Sequence, residues 1–213
     1  MISKHDIEYW KSRWDKREIH FHLINVNEIL LRYEPKIKRS ANIFVPLCGK
    51  SVDLAYLIKS GHKVVGIEAV LKPIEEFSKE TMTLTKCSDG IWRNETAQLQ
   101  IVNGDLFEAA LPNLPFDVVY DRASVTVFHG DFQEKYLRHV FSLCAATCDY
   151  LLWSVTCESK RTFPPFCQDL VFLDDIFSSA NFQLLDRKEI VCENAPLFNG
   201  SSGTIYWSYY RRN

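Results

Sequence analysis

A single-glycine turn and a carboxylate further along the chain are the residues here whose types and spacing suggest chemistry. Gly49 lies in the turn, and Glu68 follows at the end of the next apolar run. In nucleotide-binding α/β folds, a carboxylate about 20 residues after the first turn hydrogen-bonds the ribose hydroxyls of the ligand. The turn and the carboxylate therefore predict a ligand that contains a nucleoside.

Two phosphate-binding alternatives fit this turn poorly. A dinucleotide fingerprint needs three glycines in the pattern G-x-G-x-x-G, and the turn has only Gly49. The run from Gly49 to Ser51 matches the end of a Walker motif, but its first glycine would fall at Phe44. What remains is a nucleoside ligand without a bulky phosphate. S-adenosylmethionine has this character, because it carries a positive sulfonium and no phosphate.

The elements that must position these residues form a βαβ unit across residues 42–68. An apolar run at 43–47 predicts a buried parallel strand, and 63–67 predict a second. Between them, Ser51 is a good helix N-cap, and Gly61 stands where a left-handed C-cap is expected. The unit would place the Gly49 turn and Glu68 at the same edge of the sheet.

The rest of the chain predicts one α/β domain over residues 1–213, with residues 1–34 as an N-terminal helical cap. Strands and helices alternate through residue 155, which is typical of a doubly wound, mostly parallel sheet. The last two strands have no helix between them, so the final strand is expected to be antiparallel. Further helices are expected at 3–17, 26–33, 73–83, 131–146 and 168–180, and further strands at 91–93, 98–102, 116–120, 150–155, 182–192 and 204–211.

Ligands of such sheets bind at the carboxyl ends of the strands. That rule selects four clusters that are distant in sequence and adjacent by topology, namely 47–50, Glu68, 103–106 and 121–124. Two of their acidic residues have simpler readings. Asp105 could cap the turn after its strand, and Asp121 could form an ion pair with Arg122 at a strand end.

Composition limits the other classes of function. A net charge of -2 and a pI near 6.3 give no basic face for nucleic acid. The first residues are too polar for a signal peptide, and no apolar run approaches the ~20 residues of a membrane helix. Seven cysteines in irregular spacing argue against a disulfide framework and for the cytoplasm. An acidic chain without heptads is expected to be a monomer.

The histidine and cysteine pairs predict no metal site. His20 and His22 are two residues apart, so they do not share a helix face. Cys144 and Cys148 are four apart on the helix expected at 131–146, where core packing is the more common explanation.

Several motifs together resemble the thiopurine S-methyltransferase family, in its bacterial form. They extend from about residue 8 to 166 in the family's order and spacing, and each is moderately specific alone. The longest are VPLCGKSVD at 45–53 and GHKVVGIE at 61–68. The others are Trp10-x3-Trp14 with EIHFH at 18–22, YDRA at 120–123, and PPF at 164–166.

The resemblance implies the seven-stranded fold of S-adenosyl-L-methionine-dependent methyltransferases, with residues 10–21 as a cap over the cofactor. Trp14 would lie against the methionine part, Glu68 would take the ribose hydroxyls, and Asp105 would flank the adenine. The implied cofactor residues are Trp10, Trp14, Leu47, Gly49, Glu68, Asp105, Leu106 and Arg122.

For the methyl acceptor, the resemblance implies a pocket lined by Phe21, Arg122 and Pro165. Arg122 would orient an anionic acceptor, and Asp121 would either position Arg122 or accept a proton. The sequence departs from the family at 196–204, where PLFNGSSGT has no basic residue before the last strand.

The resulting expectation is an S-methyltransferase that acts on thiopurines or other aromatic thiols. Two alternatives stay open at this point. One is a detoxifying enzyme that methylates selenium or tellurium species from selenite or tellurite. The other is a regulatory protein that binds the cofactor without turnover.

Overall fold

The computed structural model describes residues 4–87, 90–112, 114–157, 161–193, 195–198 and 200–213. The chain divides into two compact units, Met1–Leu114 and Pro115–Asn213. The organisation of residues 1–213 as one domain with a cap at 1–34 stays a prediction.

Unit 1 contains the predicted βαβ unit and the N-terminal helices. Its helices are α1 (Lys4–Asp15), α2 (Glu28–Tyr33), α3 (Val52–Lys59) and α4 (Leu71–Glu80), with a 3-10 turn at Glu34–Lys36. Its strands are β1 (Asn42–Val45), β2 (Lys63–Glu68), β3 (Thr85–Lys86), β4 (Ile91–Arg93) and β5 (Leu99–Asn103).

The strands of unit 1 lie in the order β3-β4-β5-β2-β1. β2 is parallel to both β1 and β5, whereas β4 is antiparallel to β3 and β5. The expected ends of α3 are confirmed, because the Ser51 hydroxyl accepts the Asp53 N–H at 3.3 Å and Gly61 has φ +89°. Buried apolar side chains fill β1 and β2, with Ile43, Phe44 and Ile67 fully inaccessible.

Unit 2 contains the second set of strands and two helices. The helices are α5 (Asp131–Leu143) and α6 (Leu170–Ser179), and 3-10 turns occupy Ser124–Val127 and Pro196–Phe198. The strands are β6 (Phe116–Arg122), β7 (Cys144–Cys157), β8 (Phe182–Cys192) and β9 (Gly203–Arg212), in the order β6-β7-β9-β8. β6 and β7 are parallel, and β9 is antiparallel to β7 and β8, as expected for the last strand.

The fold class is confirmed as an α/β fold with a parallel core and an antiparallel last strand. The described residues form nine strands rather than seven, since β3 and β4 add a short antiparallel extension to β5. None of the helices in the described ranges has the length and apolar character needed to cross a membrane.

The helix expected at 131–146 is too long. α5 ends at Leu143, and Cys144 already has the extended backbone of β7. Cys144 and Cys148 therefore lie on a strand, where the pairing with β6 slips between Cys144 and Asp149. Pairing of β7 with β6 and β9 keeps this segment extended, although the two cysteines have helical spacing in the sequence.

The cysteine spacing argued against a disulfide framework, yet the described residues contain one disulfide. Cys157 and Cys167 form a disulfide with a Cα–Cα distance of 5.6 Å. The chain turns back at the cis peptide between Pro164 and Pro165, and the Gln168 N–H then donates to the Val155 carbonyl at 2.7 Å. This return brings Cys167 beside the end of β7, which residue counting does not reveal.

Candidate functional site

The Gly49 turn after β1 is the centre of the candidate site in unit 1. Leu47 and Gly49 both have positive φ, at +44° and +54°. Only glycine adopts this geometry without steric cost, so the non-glycine Leu47 carries backbone strain of the kind often found at functional sites. A Cβ on Gly49 would lie 3.3 Å from the Trp14 indole, so a side chain there would crowd the ring.

Glu68 is bonded directly to this turn. Its Oε2 accepts the Gly49 N–H at 3.0 Å, and its Oε1 accepts the Val70 N–H at 2.8 Å. Only 7% of Glu68 is exposed, and burial raises its pKa to about 7, although backbone hydrogen bonds from Val70, Gly49 and Ala69 oppose the shift. A carboxylate has about four acceptor sites, so Glu68 retains capacity for a further donor such as a ribose hydroxyl.

Three aromatic rings from the cap residues form a cluster, of which Trp14 lies against the turn. Phe21 stands edge-on to Trp10 and Trp14, with ring centroids 5.6 Å apart in both pairs. Trp14 is 3% exposed, whereas Phe21 is 37% exposed. The cluster therefore has a buried base against Gly49 and an accessible apolar edge.

The end of β5 is tied to the end of β2 by Asn103, which the sequence analysis included only within a cluster. The Asn103 amide donates to the carbonyls of Glu68 at 2.9 Å and Ala69 at 3.2 Å. Asp105 follows, and its carboxylate accepts the Phe107 N–H at 2.9 Å, which is the turn-capping role considered above. Leu106 is fully buried beside it. Asn103 could have been identified as the polar residue that ends the strand beside Glu68.

Lys50 shows why the Walker-like match is misleading. Its ammonium is 2.8 Å from Glu76 Oε2 and 2.8 Å from Glu80 Oε2, both on α4, and the side chain is 6% exposed. Burial alone would lower the Lys50 pKa, but the hydrogen bonds and charges of these two carboxylates raise it. The lysine therefore binds protein carboxylates on α4, and no pattern in the sequence indicates these partners.

In unit 2, Asp121 is fully buried near the end of β6. Its Oδ1 accepts the N–H groups of Ser124 (2.8 Å) and Val125 (3.2 Å). Its Oδ2 accepts the hydroxyls of Tyr136 (2.7 Å) and Tyr150 (2.9 Å). Burial raises the Asp121 pKa to about 6, although all four donors oppose the shift. These contacts fix the turn that follows Arg122, where Ala123 has φ +74°.

The other predicted residues of unit 2 lie at the end of β6 and in the loop after β7. Arg122 is the last residue of β6 and is paired in register with Trp153 of β7. Pro165 lies in the cis-proline loop, whose next residue, Phe166, donates its N–H to the Thr126 carbonyl at 2.7 Å. That bond ties the Pro165 loop to the turn fixed by Asp121.

The segment at 196–204 has no basic residue of its own, but Arg161 from another loop contacts it. The Arg161 guanidinium donates to the Leu197 carbonyl at 2.8 Å and lies 4.9 Å from the Phe163 ring. Phe198 is buried against Gly203, where a Cβ would come within 2.6 Å of its ring. Asn199, within the same segment, lies outside the described residues.

The structure therefore brings Trp10, Trp14, Phe21, Leu47, Gly49 and Glu68 together in unit 1, with Asp105 and Leu106 following a strand tied to Glu68. In unit 2 it places Asp121 beneath the turn after Arg122 and connects that turn to the Pro165 loop. Among the described residues, no group of three or more histidines, cysteines or carboxylates is arranged to hold a metal ion.

An α/β fold with a glycine turn bonded to a strand-end carboxylate defines the class of nucleoside-binding Rossmann-like proteins. Among solved structures, the chain resembles the Burkholderia thailandensis 1,6-didemethyltoxoflavin-N1-methyltransferase with bound 1,6-didemethyltoxoflavin and S-adenosylhomocysteine. The TM-score is 0.70 at 14% identity, covering 100% of this chain and 92% of that one. This similarity supports the methyltransferase fold.

Sequence comparisons identify the family. The family model for thiopurine S-methyltransferase (TPMT) matches residues 5–200. Among curated proteins, the thiopurine S-methyltransferase of Shewanella woodyi is 32% identical, covering 96% of this chain and 96% of its own. That of Shewanella pealeana is 29% identical, covering 95% and 96%.

The chain belongs to the thiopurine S-methyltransferase family. It is a methyltransferase whose cofactor is S-adenosyl-L-methionine. The acceptor capacity of Glu68 and the pairing of Lys50 with two carboxylates are compatible with a cofactor that has no phosphate.

Proposed function

We propose that this methyltransferase transfers the methyl group of S-adenosyl-L-methionine to the sulfur of aromatic thiols, including thiopurines. The observation that carries the proposal is the half-open aromatic cluster of Trp10, Trp14 and Phe21 beside the Gly49 turn. A flat aromatic acceptor gains favourable edge-to-face or stacking contacts with such rings. The curated relatives named thiopurine S-methyltransferase support the same acceptor class.

The cofactor supplies a methyl group on a positively charged sulfur. The role of the protein is to bind and orient this cofactor. Trp14 covers the turn, Glu68 accepts hydrogen bonds from the ribose hydroxyls, and Asp105 with Leu106 flanks the adenine. Gly49 allows the backbone to come close, because any side chain at this position would press on Trp14.

The reaction needs alignment more than proton transfer. The acceptor sulfur attacks the methyl carbon in line, and the carbon–sulfonium bond breaks as the new sulfur–carbon bond forms. An aromatic thiol is already largely ionised near neutral pH, so no strong base is required. Proximity and orientation can lower such a barrier by ~7–11 kcal/mol.

In this proposal Arg122 orients the anionic acceptor, and Asp121 acts by positioning. Four donors surround the Asp121 carboxylate, and the residue is inaccessible to solvent. A carboxylate in that state is a poor proton acceptor for a ligand and a good anchor for the backbone after Arg122. Pro165 lines the acceptor side on a loop bonded to the same turn.

The experiment begins with calorimetry of S-adenosylmethionine binding, followed by turnover on 6-mercaptopurine. Hypoxanthine, which has oxygen in place of the sulfur, is the matched control acceptor, and selenite is a separate arm. We expect turnover on 6-mercaptopurine and none on hypoxanthine. Turnover on selenite without turnover on the thiol would favour the metalloid alternative and contradict the proposal.

Substitutions of Phe21 and Arg122 test the residues assigned to the acceptor. Phe21→Leu keeps an apolar side chain but removes the ring, so we expect a higher KM for 6-mercaptopurine. Phe132→Leu, on the exposed surface of α5, is the matched control. Arg122→Ala and Arg122→Lys should both lower kcat; wild-type turnover in both would exclude the role given to Arg122.

A further inference from the structure

A partly buried ion cluster joins α4 to the Gly49 turn and to the segment that follows α1. Its members are Arg17, Lys50, Glu76 and Glu80. Glu76 Oε2 is the shared acceptor, 2.8 Å from the Lys50 ammonium and 3.3 Å from the Arg17 guanidinium. Glu80 completes the cluster at 2.8 Å from Lys50 and is itself half exposed.

Each cation of the cluster lies next to a residue of the proposed cofactor site. Lys50 directly follows Gly49, whose N–H is bonded to Glu68. Arg17 follows α1, and its N–H donates to the Trp14 carbonyl at 3.3 Å. The two carboxylates of α4 therefore hold both the cofactor turn and the chain segment that places Trp14 over it.

The charges in the cluster depend on one another. The hydrogen bond from Lys50 lowers the pKa of Glu80, and the positive charges of Arg17 and His22 act in the same direction. A lysine that is 6% exposed needs these partners, because a buried ammonium without a counter-charge is strongly unfavourable. Removing one member leaves the others incompletely paired.

We propose that Lys50 is a positioning residue for the cofactor, and that its cluster with Arg17, Glu76 and Glu80 holds the aromatic cap on the Gly49 turn. The cluster makes no contact with the acceptor in this scheme. It sets how tightly and for how long S-adenosylmethionine and its product are held under Trp14. The inference rests on the proposed placement of the cofactor at the Gly49 turn.

A second ion pair supplies an internal control. Lys72 of α4 lies 3.0 Å from Asp15 of α1, so it bridges the same two helices. These side chains are 34% and 57% exposed, and exposed pairs contribute little stability. Lys72→Ala therefore removes a bridge between the same helices without disturbing the turn.

The test measures the affinity and release rate of S-adenosylmethionine by calorimetry and by chase of radiolabelled cofactor. In Lys50→Met we expect both Kd and the release rate to rise by about tenfold or more, because breaking a buried ion pair is strongly destabilising and the cap is then held less firmly on the turn. The KM for 6-mercaptopurine at saturating cofactor should stay within about twofold of wild type, and Lys72→Ala should match wild type.

Two milder variants keep the test decisive if Lys50→Met does not fold. Arg17→Ala and Glu80→Gln alter exposed members of the cluster, and each should raise the cofactor release rate more than Lys72→Ala does. Folded variants that all bind and release cofactor like wild type would overturn the inference. Failure of the wild-type protein to bind S-adenosylmethionine would instead overturn the proposed function.

Discussion

At the scale of single residues, the protonation of Glu68 leads to a prediction that can be measured directly. It accepts N–H bonds from Gly49 and Val70, yet burial raises its pKa to about 7. Near neutral pH the free protein therefore contains both the protonated and the ionised form. Only the ionised form leaves both oxygens unprotonated and able to accept hydrogen bonds from the ribose.

This pKa predicts cofactor binding that strengthens as pH rises through about 7. Below that pH the Glu68 carboxyl must lose its proton when the cofactor binds. Kd should therefore rise by up to about tenfold for each unit by which the pH falls. Calorimetry between about pH 6 and 8, in buffers of different ionisation enthalpy, measures both Kd and the protons released.

Glu68→Gln should bind more weakly and lose this pH dependence. Glu108→Gln, an exposed carboxylate of the same unit, is the control and should keep it. A Kd that does not change with pH in the wild-type protein would contradict the role assigned to Glu68.

Asp121 makes a prediction about stability. Tyr136→Phe removes a donor at 2.7 Å from a fully buried carboxylate and should cost about 1–3 kcal/mol of unfolding free energy. The hydrogen bond lowers the Asp121 pKa, so its loss should raise that pKa further above about 6.

The sign of the pH effect follows from that shift. A carboxyl with a raised folded pKa binds more protons when folded, so the unfolding free energy falls as pH rises from the unfolded pKa to the folded one. The deficit of Tyr136→Phe should therefore be larger at pH ~8 than at pH ~5 in urea denaturation. Tyr206→Phe, on β9, is the control. An equal loss of unfolding free energy in Tyr136→Phe at both pH values would contradict the role given to the Tyr136–Asp121 hydrogen bond.

At the scale of elements, the Cys157–Cys167 disulfide determines how the loop after β7 returns to the sheet. It joins the end of β7 to the residue after Phe166, across a separation of 10 residues, and the closed loop contains Pro165. A cross-link of this kind limits the unfolded chain, and removing one from a small domain typically costs about 2–4 kcal/mol.

We expect Cys157→Ser and reductant to lower the unfolding free energy by that amount, whereas Cys192→Ser, a free cysteine, should have little effect. Thiol titration of the denatured protein should give five free thiols without reductant, the number that remains outside the disulfide. Titration of all seven cysteines under those conditions would contradict the pairing.

At the scale of the whole molecule, the expectation of a monomer depends on how the outer strand of unit 2 is protected. β8 pairs with β9 on one side, and Val191 and Leu185 on it are exposed. The middle of the strand carries the charged run at 186–189. Charged side chains on an outer strand oppose pairing with another molecule.

We therefore predict a monomer for the wild-type protein and self-association for the double variant Lys188→Val/Glu189→Val, measured by size-exclusion chromatography with light scattering. The control removes an exposed ion pair from a helix instead, as Glu134→Val/Arg138→Val on α5. Association of the control to the same degree would mean that charge loss in general, and not the outer strand, is responsible.

Sequence reasoning was most successful where the signal is local. Ser51 and Gly61 mark the ends of α3, and the spacing from Gly49 to Glu68 puts the two in contact because a βαβ unit has a nearly fixed geometry. The family motifs then pointed to the cofactor, which no single turn could do.

It was least successful where distant segments meet. The end of α5 at Leu143 depends on strand pairing from β6, and the disulfide depends on a loop that turns back. The Walker-like match gave no indication of the true partners of Lys50, which are carboxylates on α4, at 76 and 80. Such contacts arise from tertiary packing, for which one sequence carries no direct signal.

The burial of Trp14 against Gly49 also gives the protein an optical property. The chain has five tryptophans, and this one is 3% exposed, in contact with the turn where the sulfonium cofactor is proposed to bind. A cation beside an indole face interacts with its π-electrons. The emission of Trp14 should therefore change when the cofactor enters, which makes the native chain its own fluorescent reporter of occupancy without any attached dye.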